Sequence, residues 1–369
     1  MAMNRLRALS EAGQAVWLDY IRRDVLTGGE LAKLVERDGV SGVTSNPAIF
    51  QKAIGESDLY DEEIGAILLE NPEIGTVELY ERIAIHDIRL AAAILRPVWE
   101  RTGGRDGYVS LEVSPHLARD TGGTVAEARR LWKAVGRENL MIKVPATAEG
   151  IPAIEELLAG GIHVNVTLMF SLADYEAVAG AYLRGVARAR RPERSASVAS
   201  FFVSRVDSKV DARLAEIGAP EALSLAGKIG IANSKQAYRR FREIFHGDAF
   251  AELAGRGAAP QRVLWASTST KNPAYRDVLY AEELIGPETV NTLPPETLEA
   301  FRDHGVVEPR LLAGHEEAAA QLERLASVGV DLDEVTAALQ REGIVKFAQP
   351  FDRLLETLDG KRAALLVRG

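Results

Sequence analysis

The feature that most restricts the fold is a repeated alternation. Eight short apolar segments recur along the 369 residues, and helical patterns fill the gaps between them. The segments are Ala15–Asp19, Gly42–Pro47, Tyr108–Val113, Leu140–Thr147, Val164–Phe170, Val198–Val203, Arg262–Ser267 and Thr289–Thr292. Strands separated by helices pair in parallel through crossover connections. Eight such units close naturally into an α/β (β/α)8 TIM barrel. The competing architecture, an open doubly wound sheet, usually shows a glycine-rich turn after its first strand. Here that strand runs into Trp17-Leu18-Asp19-Tyr20, which has no glycine.

Local signals place the remaining elements. Asn4–Glu11 reads as a lead-in helix, and two amphipathic helices fill Leu59 to Glu100. Thr124-Val125-Ala126-Glu127 is a capping-box pattern for a helix running to about Val135. Ile151–Leu158 is helical and closed by Gly160-Gly161; Ser171 suits a helix cap after the fifth strand. Helices occupy about Val206 to Phe245, and Pro294-Pro295 opens another. The tail from about Leu311 to Leu366 reads as two or three helices punctuated by Gly329 and Gly343. No low-complexity linker divides the chain. We therefore expect one barrel domain over 1–369, with a helical C-terminal extension from about 311 packed on it.

Composition excludes some functions. Hydrophobic residues make up 47%, enough for a sizeable core, and the net charge of −9 argues against nucleic acid or an anionic membrane as partner. The absence of cysteine removes disulfides, thiol nucleophiles and Cys-based metal sites, and suits a cytoplasmic protein. Neither a secretory leader pattern nor an apolar run long enough for a membrane span is expected.

The polar strand residues fall on one parity. Strands covered on both faces should be mostly apolar. Trp17 and Asp19 lie opposite Val16 and Leu18, while Thr44 and Asn46 share a parity. Ser110 and Glu112 lie opposite Leu111 and Val113. Met141, Lys143 and Pro145 lie opposite Leu140, Ile142 and Val144. Asn165 and Thr167 lie opposite Val164, Val166 and Leu168; Ser200 goes with Phe202, and Trp265 with Ser267. In a barrel these faces point inward, and their late positions lie at the C-terminal mouth. Each also has an ordinary structural reading: a packed Ser or Thr, a capping Asp19, a surface pair for Glu112, an edge-strand Lys143 whose amine reaches water. Their joint occurrence around one rim favours chemistry.

A buried amine is disfavoured in its charged form, and a neutral amine attacks a carbonyl. Lys143 beside two carboxylates, with no metal-ligand pattern, suits Schiff-base formation with a ketone. Glu112 would move protons through a water, and Asp19 would take a hydroxyl proton as a carbon–carbon bond breaks. Asn46 and Asn165 suit sugar hydroxyls. Arg205 and Lys271, in loops after the sixth and seventh strands, suit a phosphate, although Arg205 also fits the charged first turn of a helix. The six histidines (His86, His116, His163, His246, His304, His315) are scattered and form no HExxH pair, so no metal is expected. His116 reads as structural.

Taken in order, Gly42-Val43-Thr44-Ser45-Asn46-Pro47, Ser110–Val113, Met141–Thr147, Asn165–Leu168 and Ser200–Arg205 resemble transaldolase. The resemblance spans roughly residues 15 to 295. The long tail and the Ser-Thr-Ser-Thr-Lys-Asn-Pro stretch from Ser267 resemble the longer bacterial subfamily. It implies a class I aldolase barrel of the non-oxidative pentose phosphate pathway. Such an enzyme moves a dihydroxyacetone unit from sedoheptulose 7-phosphate to glyceraldehyde 3-phosphate, giving erythrose 4-phosphate and fructose 6-phosphate. It implies no cofactor beyond the covalent Schiff base on Lys143. Its partners would be sugar phosphates, a ketose donor and an aldose acceptor; monomer and homodimer both fit.

By resemblance Asp19 handles the C4 hydroxyl proton, and Glu112 with Thr167 positions the catalytic water. Asn46 and Asn165 contact the dihydroxyacetone part, and Ser200, Phe202, Arg205 and Ser267 contact substrate or its phosphate. One departure stands out. Many members carry a phosphate-binding arginine two residues after the equivalent of Ser267, where this chain has Ser269, with Lys271 two further on. The nearest rival function is that of a fructose-6-phosphate aldolase, which tends to have glutamine and tyrosine where this chain has Glu112 and Phe202. A non-catalytic sugar-phosphate sensor and a metal-dependent isomerase barrel also compete.

Overall fold

The computed structural model describes residues 4–368. Its strands are β1 Gln14–Leu18, β2 Val40–Val43, β3 Tyr108–Glu112, β4 Leu140–Pro145, β5 Val164–Met169, β6 Ser197–Phe202, β7 Arg262–Ala266 and β8 Thr289–Leu293. They form a closed parallel barrel in chain order, with β8 pairing back onto β1. The (β/α)8 barrel expected from the alternation is the one observed.

Strand parity sorts the core into two shells. Val16, Leu18, Val109, Leu111, Ile142, Val144, Val164 and Val166 pack outward under the surrounding helices. Trp17, Tyr108, Met141, Val198, Leu264 and Val290 belong to a separate cluster that fills the barrel. The floor is closed by polar contacts. The Trp17 indole donates to Asp106 at 2.8 Å, Ser41 donates to its other oxygen at 2.9 Å, and Arg262 lies 3.6 Å away. Trp17 lies so close to β2 that a Cβ on Gly42 would fall 2.4 Å from its ring, so only glycine fits there.

Alternation breaks in β5, and in β7 the expected facing is reversed. Leu168 has φ +55, and the β5–β6 register jumps from Val166↔Ala199 to Met169↔Phe201. This bulge turns Leu168 into the inner cluster beside Thr167, against the expectation that it lies opposite. In β7, Trp265 faces outward and packs edge-to-face on Phe201 at 6.4 Å. It therefore does not share an inward face with Ser267, as parity suggests. Ser267 lies past the strand end and has φ +56, so its direction is set by the turn and not by the pleat.

Three local expectations are also corrected. β2 ends at Val43, so Thr44–Asn46 are loop, and Asn46 caps the short helix Pro47–Phe50 by accepting from Ile49 N. The helix expected at Thr124 begins at Thr121, because Asp120 caps it by accepting from Gly123 N. Glu127 instead accepts from Ser114 N at 2.5 Å. Gly329, at φ +87, does separate the helices His315–Ser327 and Leu332–Arg368. Gly343 does not interrupt the second of these. It is a packing glycine: a Cβ there would meet Leu168 Cδ2 at 2.8 Å.

The C-terminal helix Leu332–Arg368 crosses the barrel mouth. Gln340 donates to Ala146 O at 2.9 Å, at the end of β4. Glu342 pairs with Lys209, Asp352 lies 2.7 Å from His116 Nε2, and Lys361 lies 2.5 Å from Asp61. Anchors thus run from the helix Ser204–Ile217 to the helix Asp61–Glu70, with the mouth between them.

Candidate active site

Parallel pairing aligns the central residues. Glu112 on β3 is opposite Lys143 on β4, Lys143 is opposite Asn165 on β5, and Pro145 is opposite Thr167. All point inward because they share the parity of Met141 and Tyr108. The Lys143 amine is buried. It donates to Ser45 O at 3.2 Å and lies 3.4 Å from Glu112 Oε2, an oxygen with no hydrogen-bond partner among the described residues. Burial pushes the Glu112 carboxyl up to about 7, and the Lys143 charge offsets only part of that.

Beside this pair runs a fully buried chain. Ser200 donates to Asn165 Oδ1 at 2.7 Å, and Asn165 Nδ2 donates to Ser110 Oγ at 2.9 Å. Both ends of the Asn165 amide are thereby fixed, which orients its plane. Thr167 has a buried hydroxyl without a partner among the described residues, on the strand next to Lys143. A buried, unpaired hydroxyl aimed into a site suits a bound water or substrate oxygen.

Asp19 extends past the end of β1. Thr44 donates to its Oδ1 at 2.6 Å, and Thr44 is itself 2.7 Å from Thr292 Oγ1. Burial raises the Asp19 carboxyl above its ordinary value, while the charges of Lys143 and Arg205 pull it down. Asp19, Glu112 and Lys143 therefore feel one another electrostatically. Asn46 spends its Oδ1 on the helix cap and lines a small cleft with Glu112, so its amide nitrogen is the group left for a ligand.

The cationic side is looser. The Arg205 guanidinium is half-buried, sits 5.3 Å from the Phe202 ring centroid, and has no carboxylate partner among the described residues. Burial lowers its pKa, and Asp19 partly offsets this. Phe202 packs on Phe170 at 5.0 Å. Ser267 Oγ is 2.9 Å from Ser204 Oγ, at the start of the helix that carries Arg205. Lys271 is exposed and donates to Ser269 at 2.6 Å. Partial desolvation at the rim lowers its ammonium, Glu296 raises it, and the Arg205 charge lowers it further.

Two contacts were not visible in the sequence. Phe347 of the C-terminal helix is buried with its ring centroid 5.6 Å from Lys143 Nζ. The backbone oxygen of Ser45 holds the amine. Phe347 and Phe351 are one helical turn apart, a spacing shared by any amphipathic helix. His116 is exposed, lies 2.7 Å from Asp352 and lines a cavity together with Glu112. Among the described residues no three His, Asp or Glu side chains are grouped as metal ligands, and no helix is long and apolar enough to cross a membrane.

Such a site can form and hydrolyse an imine. It has a buried amine, a carboxyl balanced between its two forms near neutral pH, a second carboxyl, and fixed amides for hydroxyl groups. Comparison with known proteins points the same way. Residues 16–358 match the model of the family described as Transaldolase/Fructose-6-phosphate aldolase. A protein named Transaldolase from Thiobacillus denitrificans is 51% identical over 96% of this chain and 99% of its own. One of the same name from Thermobifida fusca is 50% identical over 97% and 98%. A Nostoc protein named Transaldolase 2 is 46% identical over 98% of each chain.

Proposed function

The chain belongs to the transaldolase/fructose-6-phosphate aldolase family, and from that membership we propose how its residues divide the work of a transaldolase. The enzyme is a transferase. It moves a dihydroxyacetone unit from sedoheptulose 7-phosphate to glyceraldehyde 3-phosphate, giving erythrose 4-phosphate and fructose 6-phosphate. The Lys143 amine attacks the ketose C2 carbonyl. Glu112 delivers a proton to the carbinolamine hydroxyl through a water held with Thr167, and that hydroxyl leaves as water. The resulting iminium draws electrons from the C3–C4 bond. Asp19 takes the C4 hydroxyl proton as that bond breaks and the aldose departs. The acceptor aldehyde then adds by the reverse path, and water returns to free the lysine.

Asn46 and Asn165 hold the dihydroxyacetone hydroxyls, with Ser200 fixing the Asn165 amide. Arg205, Ser267 and Lys271 receive the phosphate, with Lys271 in the place of the more usual arginine. A lone ammonium makes a less directional contact than a bidentate guanidinium, so Arg205 carries more of the phosphate recognition. The lysine supplies the electron sink itself, so this scheme uses no cofactor. We place the reaction in the cytoplasm and read the tail from about 311 as part of the same catalytic unit.

The observation that carries this reading is the buried Lys143–Glu112 pair at 3.4 Å, with a carboxyl near 7 able both to give and to take a proton at neutral pH. Glu112 and Phe202 favour transfer over simple cleavage. The test is a two-substrate assay of fructose 6-phosphate with and without an aldose acceptor. Transfer predicts turnover that depends on acceptor. Release of free dihydroxyacetone at a rate indifferent to acceptor would overturn it.

A further inference from the structure

The helix Ser204–Ile217 carries Arg205 in its first turn, and Asp207 and Asp211 one turn apart below it. Asp207 Oδ1 accepts from Gly230 N at 2.6 Å and so fastens the start of the helix Ile229–Phe245. Asp211 does something different. Its Oδ1 accepts from Gly227 N at 3.0 Å, and its Oδ2 accepts from the Tyr275 hydroxyl at 2.6 Å.

Tyr275 lies four residues beyond Lys271, in the loop leaving β7. The stretch between them is a compact turn: Tyr275 N donates to Asn272 O at 3.0 Å, and Ala274 N donates to Asn272 Oδ1 at 3.0 Å. A displacement of Tyr275 is therefore passed to Lys271. The Tyr275 ring lies against Gly227, whose φ is +72, and a Cβ there would fall 2.8 Å from the ring. Ring and hydroxyl together anchor the loop to the arginine-bearing helix. Lys271 in this loop feels the charges of Glu296 and Arg205.

We infer that Tyr275 and Asp211 are positioning residues: their hydrogen bond fixes the loop bearing Lys271 to the helix bearing Arg205, and so sets the spacing of the two cations that receive a phosphomonoester. This inference rests on the reading of Arg205 and Lys271 as the phosphate pair. Neither Tyr275 nor Asp211 touches the reacting atoms. Their effect belongs to recognition of the phosphate and not to chemistry at Lys143.

The experiment compares Tyr275→Phe, Asp211→Asn and Lys271→Ala on two acceptors, glyceraldehyde 3-phosphate and unphosphorylated glyceraldehyde. Losing the hydrogen bond to the carboxylate should raise KM for the phosphorylated acceptor about five- to tenfold in Tyr275→Phe, and by less in Asp211→Asn, whose amide nitrogen can still donate to the Tyr275 oxygen. We expect kcat unchanged, kcat/KM for glyceraldehyde unchanged, and inhibition by inorganic phosphate weakened by the same factor. If Lys271→Ala raises that KM while Tyr275→Phe leaves it alone, the tie is refuted and the phosphate pair stands. If Lys271→Ala has no effect either, the phosphate assignment itself falls. Equal losses on both acceptors with a lowered Tm would make Tyr275 merely structural and overturn the inference.

Discussion

The Glu112→Gln variant gives the most informative single comparison. Raising this carboxyl from its ordinary 4.5 to about 7 corresponds to about 3 kcal/mol, at 1.36 kcal/mol for each tenfold. The cause is burial, since Lys143 at 3.4 Å works in the other direction. The sign follows from proton counting. Between about pH 4.5 and 7 the folded protein holds the Glu112 proton, and the unfolded chain has lost it. Wild-type stability should therefore fall, relative to Glu112→Gln, as pH rises through that window. Above pH 7 the stability difference should have moved in the variant's favour by about 3 kcal/mol relative to its value below pH 4.5. Asp207, also pushed up to about 7 by burial, is present in both proteins and cancels from the difference. Urea unfolding of both at pH 4.5, 6 and 8 measures this directly. In activity, Glu112→Gln should lose about 10²–10⁴-fold in kcat, the range for a positioned general acid–base. It should also lose the bend near pH 7 in the wild-type rate profile. Stability curves that stay parallel across pH, or an unchanged bend in the variant, would refute this reasoning.

Other consequences follow from the same geometry. Lys143→Ala should abolish transfer, and Lys143→Arg should do so too because a guanidinium stays protonated; turnover by either in the two-substrate assay would contradict the assignment. Phe347→Ala should cost about 3 kcal/mol in urea unfolding and open the Lys143 amine to water. The ratio of free dihydroxyacetone released to ketose transferred should then rise, and an unchanged ratio would show that the ring does not shield the site. Gly42→Ala should destabilise at the upper end of the roughly 1–3 kcal/mol seen for overpacking, because its Cβ would meet the Trp17 ring at 2.4 Å. A Tm equal to wild type would mean that the barrel floor yields more easily than the contact implies.

How far the site was legible depended on which interactions are periodic. Glu112, Lys143 and Asn165 stand out because polar residues on the inner parity of covered strands are costly without a purpose, and parallel pairing then sets them side by side. The barrel follows from the same alternation. Parity misleads where the backbone leaves the pleat. The bulge at Leu168 turns a second consecutive residue inward, and Trp265 takes the outer face while the turn at Ser267 resets the direction. A capping-box pattern at Thr124 is outcompeted by Asp120, upstream of it and better placed to cap. Gly343 looks like a stop signal but is a contact with Leu168, which no local pattern encodes. Phe347 over the amine, the Ser45 oxygen beneath it and the Tyr275–Asp211 tie are contacts between distant parts of the chain. Such contacts exist only once the barrel has closed.

That Lys143 forms a covalent imine with the ketose is tested most directly by borohydride trapping. The protein is incubated with fructose 6-phosphate, reduced, digested and mapped by peptide mass spectrometry. A reduced three-carbon adduct is expected on the peptide bearing Lys143, together with loss of activity in proportion to labelling. An adduct on a different lysine, or full loss of turnover with no adduct at Lys143, would contradict the imine.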